Sequence, residues 1–394
     1  MCYGRAVNRV YLDHNGTAPL LPEARAAYRR AIDDPPGNPS SVHAYGHRAR
    51  MTVEAARDQV AALVGAAPRE VVFTASATEA NNLALLGTIQ AAAPQRRRVV
   101  GSAFEHPSVG RVLDHLEDRG FEVVRVSPDR DGRVSPADIV AAADPARTAF
   151  VTLMLANHEV GTLQPVDAVA RALAGSGVVV HTDAAQAAGR TPVRFAGLGV
   201  DLMTVAAHKF GGPVGAGALV IRTGSTIAAL LHGGGQELNR RPGTENVPAL
   251  AAFGAAAAAV AAGLGDEGSR QGSLRDRLET SVGRLGHGIR VNGADTQRLP
   301  NTTSLFVPGA DAETLVIGLD LEGFAVSAGA ACSAGAIRRS PALVAMGLER
   351  EASASIRISL GATTTRDEID RFAATLGVVV ARARATAPAA GVAR

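Results

Sequence analysis

Short apolar segments rich in β-branched residues alternate with Ala-, Arg- and Glu-rich stretches through the first two thirds of this 394-residue chain. This alternation is typical of βαβ units and predicts a mostly parallel sheet covered by helices. The predicted strands are Val71–Phe73, Arg98–Ala103, Phe121–Val126, Ala149–Met154, Val178–Thr182, Leu202–Val205 and Ala216–Ile221. Because open parallel sheets bind ligands at the carboxyl ends of their strands, we expect the functional residues there.

A second set of elements follows an Ala-rich segment at the end of this alternation. The stretch Gly263–Gly272 is small and polar, which predicts a break between two helices. A last helix is predicted to begin in the region Thr364–Asp370, where the spacing of Thr365 from Glu368 matches a capping box. Between the predicted break and this last helix we expect four elements. They are a helix over Leu274–Leu285, a strand over Thr303–Val307, a helix over Ala312–Glu322 and a strand over Ile356–Ser359. The pattern predicts a large α/β domain followed by a smaller one.

Composition argues against several classes of protein. A formal net charge of +3, from 40 basic and 37 acidic residues, is too balanced to favour direct nucleic-acid binding. Cys2 and Cys332 are the only cysteines, which is too few for a disulfide framework. The N-terminus lacks a secretory signal pattern, so we expect a cytoplasmic protein. The run Ala249–Leu264 is too short and too Gly-rich for a membrane span and predicts a buried helix instead.

One of the 40 basic residues is a lysine, Lys209, and all the others are arginine. A lysine amine can be tuned for Schiff-base chemistry, whereas a guanidinium keeps its proton. The lysine is therefore either a covalent residue or a chance survivor of a biased composition. Asp183 and Gln186 follow one predicted strand, and His208-Lys209 follows the next. A buried Asp there needs a cationic partner, which the ring nitrogen of pyridoxal phosphate would supply, although an Asp that caps the next helix fits equally well.

Three other strand ends carry polar groups. Ser76 and Glu79 form a capping-box pattern that opens a helix predicted to begin near Asn81. Such a helix N-terminus can hold a phosphate, or it is an ordinary cap. His106 and Asn157 follow two further strands. An imidazole there can stack on a planar cofactor and move protons, or it only forms hydrogen bonds within its loop.

Cys332 lies in a run of small residues, Ser327–Gly335, which we expect to be accessible. Arg338 and Arg339 follow it and would lower the pKa of a nearby thiol, as a nucleophilic cysteine requires. The alternative is a small buried side chain, which is the usual environment of a free cysteine.

These motifs resemble those of the pyridoxal-phosphate-dependent cysteine desulfurases, the NifS- and IscS-like members of the class V aminotransferase family. The resemblance extends from Tyr11-Leu12-Asp13 to Ile356–Gly361, nearly the whole chain. The spacing between Cys332 and Met346 is similar to that of members with the longer cysteine loop. The matching motifs are Ser76-Ala77-Thr78-Glu79, Glu105-His106, Asn157–Gly161, Asp183 with Gln186, His208-Lys209, Arg240–Asn246 and Gly329–Ser333.

The resemblance implies a fold-type-I enzyme that acts as a homodimer. Its large domain, residues 17–262, would bind pyridoxal 5'-phosphate, and its small domain, residues 1–16 and 263–394, would carry the cysteine loop. The implied reaction converts L-cysteine to L-alanine and leaves the sulfur on Cys332 as a persulfide for a sulfur-acceptor protein. Iron–sulfur scaffolds, tRNA thiolation and DNA phosphorothioation are the pathways that fit. No metal is certain, and an iron–sulfur cluster held through Cys332 is the open alternative.

Individual positions take their roles from the same resemblance. Lys209 would bind the cofactor covalently and share proton transfer with His106, whose ring would stack on the cofactor. Asp183 would pair with the ring nitrogen, and Gln186 would contact the phenolic oxygen. Arg357 would bind the substrate carboxylate. The remaining expected contacts are Ala77, Thr78 and His208 with the phosphate, Thr244 from the neighbouring subunit, and Asn157 beside both cofactor and substrate.

The chain departs from the family pattern, and rival functions stay open. Ala206 stands where many members have a serine, which removes a hydroxyl from the phosphate site, and Arg338-Arg339 makes the loop basic. A selenocysteine lyase or an aminotransferase of the same fold would use Lys209 and Asp183 equally, so Cys332 is the discriminating residue. A non-catalytic scaffold that kept the fold is the other alternative, and the lone lysine argues against it.

Overall fold

A computed structural model describes residues 9–328 and 339–386 of the chain. Cys2, Cys332 and Arg338 lie outside these described residues, so what was predicted for them stays a prediction. The strands are β1 (Val10–Tyr11), β2 (Val71–Thr74), β3 (Arg98–Ser102), β4 (Glu122–Val126), β5 (Thr148–Thr152), β6 (Val179–Asp183), β7 (Leu202–Ala206), β8 (Gly217–Ile221), β9 (Arg290–Val291), β10 (Thr302–Phe306), β11 (Phe324–Ala325) and β12 (Ser355–Ser359). The helices are α1 (Pro22–Asp33), α2 (Ala44–Val64), α3 (Ala77–Ala91), α4 (Pro107–Asp118), α5 (Pro136–Ala142), α6 (Val166–Leu173), α7 (Phe195–Leu198), α8 (Val247–Gly283), α9 (Ala312–Leu321), α10 (Pro341–Ala345) and α11 (Arg366–Thr386).

The large sheet has seven strands in the order β2-β8-β7-β6-β5-β3-β4. β8 runs antiparallel to the other six strands of this sheet, so the predicted mostly parallel α/β sheet is confirmed. All seven predicted strands of this sheet are present, with ends within two residues of the predicted ones.

Both faces of this sheet are buried except at the edge strand β4, which explains the apolar runs of the other strands. Successive residues of a strand point to opposite faces and join different cores. Phe150 and Leu202 lie in cores on one face, while their neighbours Val151 and Met203 lie in the main core on the other.

A second core joins the N-terminal strand to the C-terminal third of the chain. β1 pairs in parallel with β11, and β10 pairs antiparallel with β9 and β12. Val10 and Leu12 pack in this core with Ile358 and Phe372. The domain boundaries stay a prediction.

The break predicted at Gly263–Gly272 is wrong, because this stretch lies inside helix α8. It is continuous from Val247 to Gly283, so the proposed boundary after residue 262 falls within it. A glycine inside a helix costs only about 1 kcal/mol, and packing at both ends of α8 offsets that cost. Phe253 is buried in the main core and Leu278 in the second core, so the helix links the two.

Helix α8 is also the one helix in residues 9–328 and 339–386 that is long and apolar enough to cross a membrane. This test is passed equally by the core helices of soluble proteins. Within the predicted buried run Ala249–Leu264, the fully buried side chains end at Ala257, and the remaining residues are partly or fully exposed.

Candidate active site

The parallel strands bring distant parts of the sequence to one edge of the sheet. Because their carboxyl ends meet there, residues that follow different strands become neighbours. In chain order these residues are Ala77 and Thr78 after β2, His106 after β3, Asn157 after β5, Asp183 at the end of β6, and His208 and Lys209 after β7.

Lys209 lies on a single helical turn, Ala207–Lys209, directly after β7. Its Nζ atom donates hydrogen bonds to the carbonyl oxygens of Asn15, at 2.7 Å, and Gly16, at 2.9 Å. Both carbonyls belong to the segment that follows β1. The lysine amine is therefore oriented by the N-terminal segment as well as by the sheet.

Asp183 is a buried carboxylate held by hydrogen bonds. Its Oδ2 accepts from Asn81 Nδ2 at 2.8 Å, and its Oδ1 accepts from the N–H of Ala185 at 2.9 Å. Asn81 also donates to the hydroxyl of Ser108. Within the described residues Asp183 forms no ion pair, so the cationic ring nitrogen of pyridoxal phosphate fits this position.

His106 caps the N-terminus of α4, where its Nδ1 accepts from the N–H of Ser108 at 3.1 Å. Its ring meets that of His158 edge to face, with 5.3 Å between centroids. Burial lowers the pKa of His106, the carboxylate of Asp183 opposes this shift, and the ammonium of Lys209 adds to it. The imidazole is therefore neutral near pH 7 and able to accept a proton.

Helix α3 begins at Ala77, four residues before the predicted position near Asn81. The predicted cap is present, since Ser76 Oγ accepts from the N–H of Glu79 at 3.1 Å. The side chain of Glu79 reaches back to the N–H of Ala75, at 2.8 Å. These two reciprocal hydrogen bonds fix the conformation of the turn between β2 and α3.

The N–H groups of Ala77 and Thr78 form the first turn of this 15-residue helix. Helix N-termini of this kind bind phosphate. Gly217 of β8 packs against the turn, and a Cβ atom there would lie 2.6 Å from the main-chain carbon of Ser76. His208 is close to Thr17, at 3.2 Å from Nδ1 to Oγ1, and burial lowers its pKa to about 4. The turn thus fits a phosphate; we call Ser76–Thr78 the phosphate turn.

Gln186 has hydrogen-bond partners other than the predicted one. Its Nε2 donates to the carbonyl of Asn15 at 3.1 Å, and its Oε1 accepts from Arg190. To contact the phenolic oxygen of the cofactor as predicted, the Gln186 side chain must give up one of these two hydrogen bonds. Arg190, which sequence reasoning missed, also donates to the carbonyls of His14 and Lys209. Burial lowers the pKa of this guanidinium to about 9, and its only sequence signal is its place seven residues after Asp183.

Arg357 is buried on β12 beside the same edge. It donates to the carboxylate of Asp13 at 2.6 Å and to the carbonyl of His158 at 2.9 Å, while its buried Nε has no hydrogen-bond partner within the described residues. The guanidinium already binds a carboxylate, so a substrate carboxylate fits its chemistry. Sequence reasoning did not identify Asp13 as this partner.

Asn157 shapes the loop after β5. Its Oδ1 accepts from the N–H groups of Glu159, at 2.8 Å, and Val160, at 3.0 Å. Thr244 is exposed on the segment between β8 and α8. The structure therefore brings all the predicted cofactor residues to one edge except Thr244, which the prediction assigns to a second subunit.

Glu105, next to His106, is a buried carboxyl whose pKa is raised to about 8 by burial, with the charge of Asp183 adding to the shift. One oxygen accepts from Ser102 Oγ and the N–H of Met154, both at 2.8 Å. The other has no hydrogen-bond partner in the described chain. Near pH 7 the group is therefore mostly protonated, which keeps a second negative charge away from Asp183.

This shift predicts a pH dependence of stability that Glu105→Gln removes. Because the folded-state pKa lies above the unfolded one, the folded state binds more protons between about pH 4.5 and 8, and stability falls as pH rises through that window. We expect the free energy of unfolding of the wild type to drop by about 1–3 kcal/mol more than that of E105Q between about pH 6 and pH 8.5. Urea unfolding at fixed protein concentration measures this, with exposed Glu117→Gln as the control. Equal losses in E105Q and wild type would contradict the assignment.

Comparisons with known proteins agree with this geometry. The family model for aminotransferase class-V matches residues 10–372. A cysteine desulfurase from Cereibacter sphaeroides is 41% identical over 385 residues, which cover 97% of this chain and 98% of the relative. The solved structure of a NifS-like protein matches with a TM-score of 0.88 and 32% identity, and the match covers 95% of this chain and 100% of that one.

A solved structure of SspA in complex with cysteine also matches, with a TM-score of 0.78 and 28% identity over 90% of this chain and 99% of that one. These matches confirm the resemblance and the fold type inferred from the sequence. The chain therefore belongs to the aminotransferase class-V family and, within it, to the cysteine desulfurases, a family of pyridoxal-phosphate-dependent enzymes.

Proposed function

We propose that this chain converts L-cysteine to L-alanine and transfers the sulfur to Cys332 as a persulfide, with pyridoxal 5'-phosphate bound at the strand-end edge. The observation that carries the proposal is the meeting, in a member of the cysteine desulfurases, of the only lysine, a helix N-terminus and a buried aspartate that forms no ion pair within residues 9–328 and 339–386. The cysteine complex of the related SspA supports the choice of substrate.

The residues of the edge fit the cofactor group by group. Lys209 would hold the cofactor through its amine, Asp183 would keep the ring nitrogen protonated, and the phosphate turn would bind the phosphate together with His208. Thr244 of a second copy would complete the phosphate site. Bound pyridoxal phosphate supplies an electron sink for negative charge that develops at the substrate α-carbon. Ala206 is fully buried at the end of β7 and has no hydroxyl to donate to a phosphate.

The side chains of this protein would then position and move the reacting groups. Arg357 binds the substrate carboxylate and fixes the orientation of the amino acid. Lys209 and the neutral imidazole of His106 accept and return protons at the substrate carbon and sulfur. The thiolate of Cys332 attacks the substrate sulfur, so an S–S bond forms on Cys332 as the C–S bond of the substrate breaks.

Arg357→Lys is expected to raise KM for L-cysteine about tenfold to a hundredfold and to change kcat by less than about threefold, because lysine keeps the charge but loses the planar fork that binds a carboxylate. Steady-state kinetics measures this. Arg298→Lys is a matched control, since the Arg298 side chain is only 6% exposed and forms an ion pair with Glu279 at 2.7 Å. An unchanged KM in R357K would remove Arg357 from the substrate site.

The direct test of the function is the release of sulfide and alanine from L-cysteine, with pyridoxal phosphate and a thiol reductant present. Equal amounts of both products are expected. Release of an α-keto acid instead would identify an aminotransferase, and neither product from a protein that binds pyridoxal phosphate would contradict the proposal.

We further propose that the enzyme is a cytoplasmic homodimer that passes its sulfur to an acceptor protein and binds neither nucleic acid nor membranes directly. The near balance of charge supports the absence of nucleic-acid binding. The acceptor would serve iron–sulfur assembly, tRNA thiolation or DNA phosphorothioation, and no resident metal is required. Sedimentation and cell fractionation test the assembly and the compartment.

A further inference from the structure

A left-handed turn interrupts the segment between β8 and α8. Glu237, Leu238 and Asn239 have φ angles of 48°, 59° and 62°. They are the only non-glycine residues with positive φ in the part of the chain that the structure describes. Side chains with a Cβ atom disfavour this region, so three such residues in succession need contacts that hold them there.

Glu237 supplies those contacts at the edge of the large sheet. Its carboxylate is buried and accepts two hydrogen bonds from Arg57, at 2.7 and 2.8 Å, and one from the N–H of Phe73, at 2.7 Å. Arg57 also donates to the carbonyl of Val71, at 2.8 Å. β2 is an edge strand paired only with β8. The ion pair therefore provides hydrogen-bond partners for the N–H of Phe73 and the carbonyl of Val71 on this strand.

The same segment is also fixed to the start of α3. Arg241 donates to Glu79 at 2.8 Å, and Glu79 in turn accepts from the N–H of Ala75 beside the phosphate turn. Gln236 Oε1 accepts from the N–H of Gly243 and closes the segment on itself. The segment is therefore hydrogen-bonded to both sides of the phosphate turn. Glu237 binds β2, which precedes the turn, and Arg241 binds Glu79 in the first turn of α3, which follows it.

We propose that Glu237 is a positioning residue for the phosphate group of pyridoxal phosphate. With Arg57 it fixes β2 three residues before the phosphate turn, and it holds the left-handed turn that presents Arg241 to Glu79. It acts through these residues and does not itself touch the phosphate. The inference rests on the proposed function, because the phosphate in question belongs to the proposed cofactor.

The test compares the binding of pyridoxal phosphate and of pyridoxal, which lacks the phosphate, by equilibrium dialysis of the purified full chain. Glu237→Gln keeps the shape but removes the charge and one acceptor. We expect E237Q to bind pyridoxal phosphate about tenfold more weakly and pyridoxal within about twofold of the wild type. Glu54→Gln is the matched control, since Glu54 is the half-exposed partner of the same Arg57, and it should change neither affinity.

A rescue variant separates positioning from general loosening. Leu238 is exposed, and glycine adopts positive φ without penalty, so adding Leu238→Gly to E237Q should bring the affinity for pyridoxal phosphate back to within about threefold of the wild type. If E237Q does not fold, Arg57→Lys takes its place with the same expectation, because lysine cannot donate two parallel hydrogen bonds.

Two results would overturn the inference while the proposed function stands: unchanged affinity for pyridoxal phosphate in E237Q, or equal weakening for both compounds. A wild-type chain that binds neither compound would contradict the proposed function itself, and this inference with it.

Discussion

Lys209→Ala is expected to lower the release of sulfide and alanine from L-cysteine at least about a thousandfold. The amine of Lys209 would serve both as the attachment point of the cofactor and as a proton carrier. No other side chain can replace it, because every other basic residue apart from the histidines is an arginine. The measurement is product formation by the wild type and the variant at saturating pyridoxal phosphate.

Lys209→Arg is the control for charge. A guanidinium keeps the positive charge opposite the carbonyls of Asn15 and Gly16, but it cannot lose a proton at neutral pH, so K209R should be as inactive as K209A. Borohydride reduction should attach pyridoxal phosphate to the Lys209 peptide in the wild type and to no side chain in either variant. Product release by K209A above a hundredth of the wild-type rate would remove Lys209 from the mechanism.

The sequence predicts the large sheet well because burial on both faces makes most of its strands visible apolar runs; the edge strand β4, which is partly exposed, is the exception. It fails at α8 because glycines at 263–272 look like a break when only local preference is considered. The helix is decided by its two ends, which pack in separate cores. Such packing depends on contacts between residues far apart in the chain, which local composition does not record.

The candidate site likewise has a part that the sequence predicts and a part that it does not. Lys209, Asp183 and His106 are predictable because each follows a recognisable strand. Their hydrogen-bond partners are not, since the Asn81 amide reaches Asp183 across 102 positions and Asp13 reaches Arg357 across 344. Glu237 is hidden for the same reason, because only the fold brings it to the edge of β2.

Cys332→Ala is expected to reduce sulfide release at least about a hundredfold while binding of pyridoxal phosphate stays within about twofold of the wild type. Cys332 lies outside the described residues, but described residues before and after it form hydrogen bonds with residues of the site. Ser327 exchanges two main-chain hydrogen bonds with Arg357, at 3.1 and 2.7 Å, and Ser340 donates to Glu159 beside His158.

Cys2→Ala is the matched control, because Cys2 is the only other thiol, and it should leave sulfide release unchanged. Mass spectrometry of the wild type after a single turnover without reductant should find one additional sulfur atom on the Cys332 peptide and none on Cys2. Full sulfide release by C332A would contradict sulfur transfer through this residue. It would instead favour a lyase of the same fold that releases sulfur or selenium directly, because Lys209 and Asp183 serve both reactions while only the desulfurase needs a nucleophilic thiol.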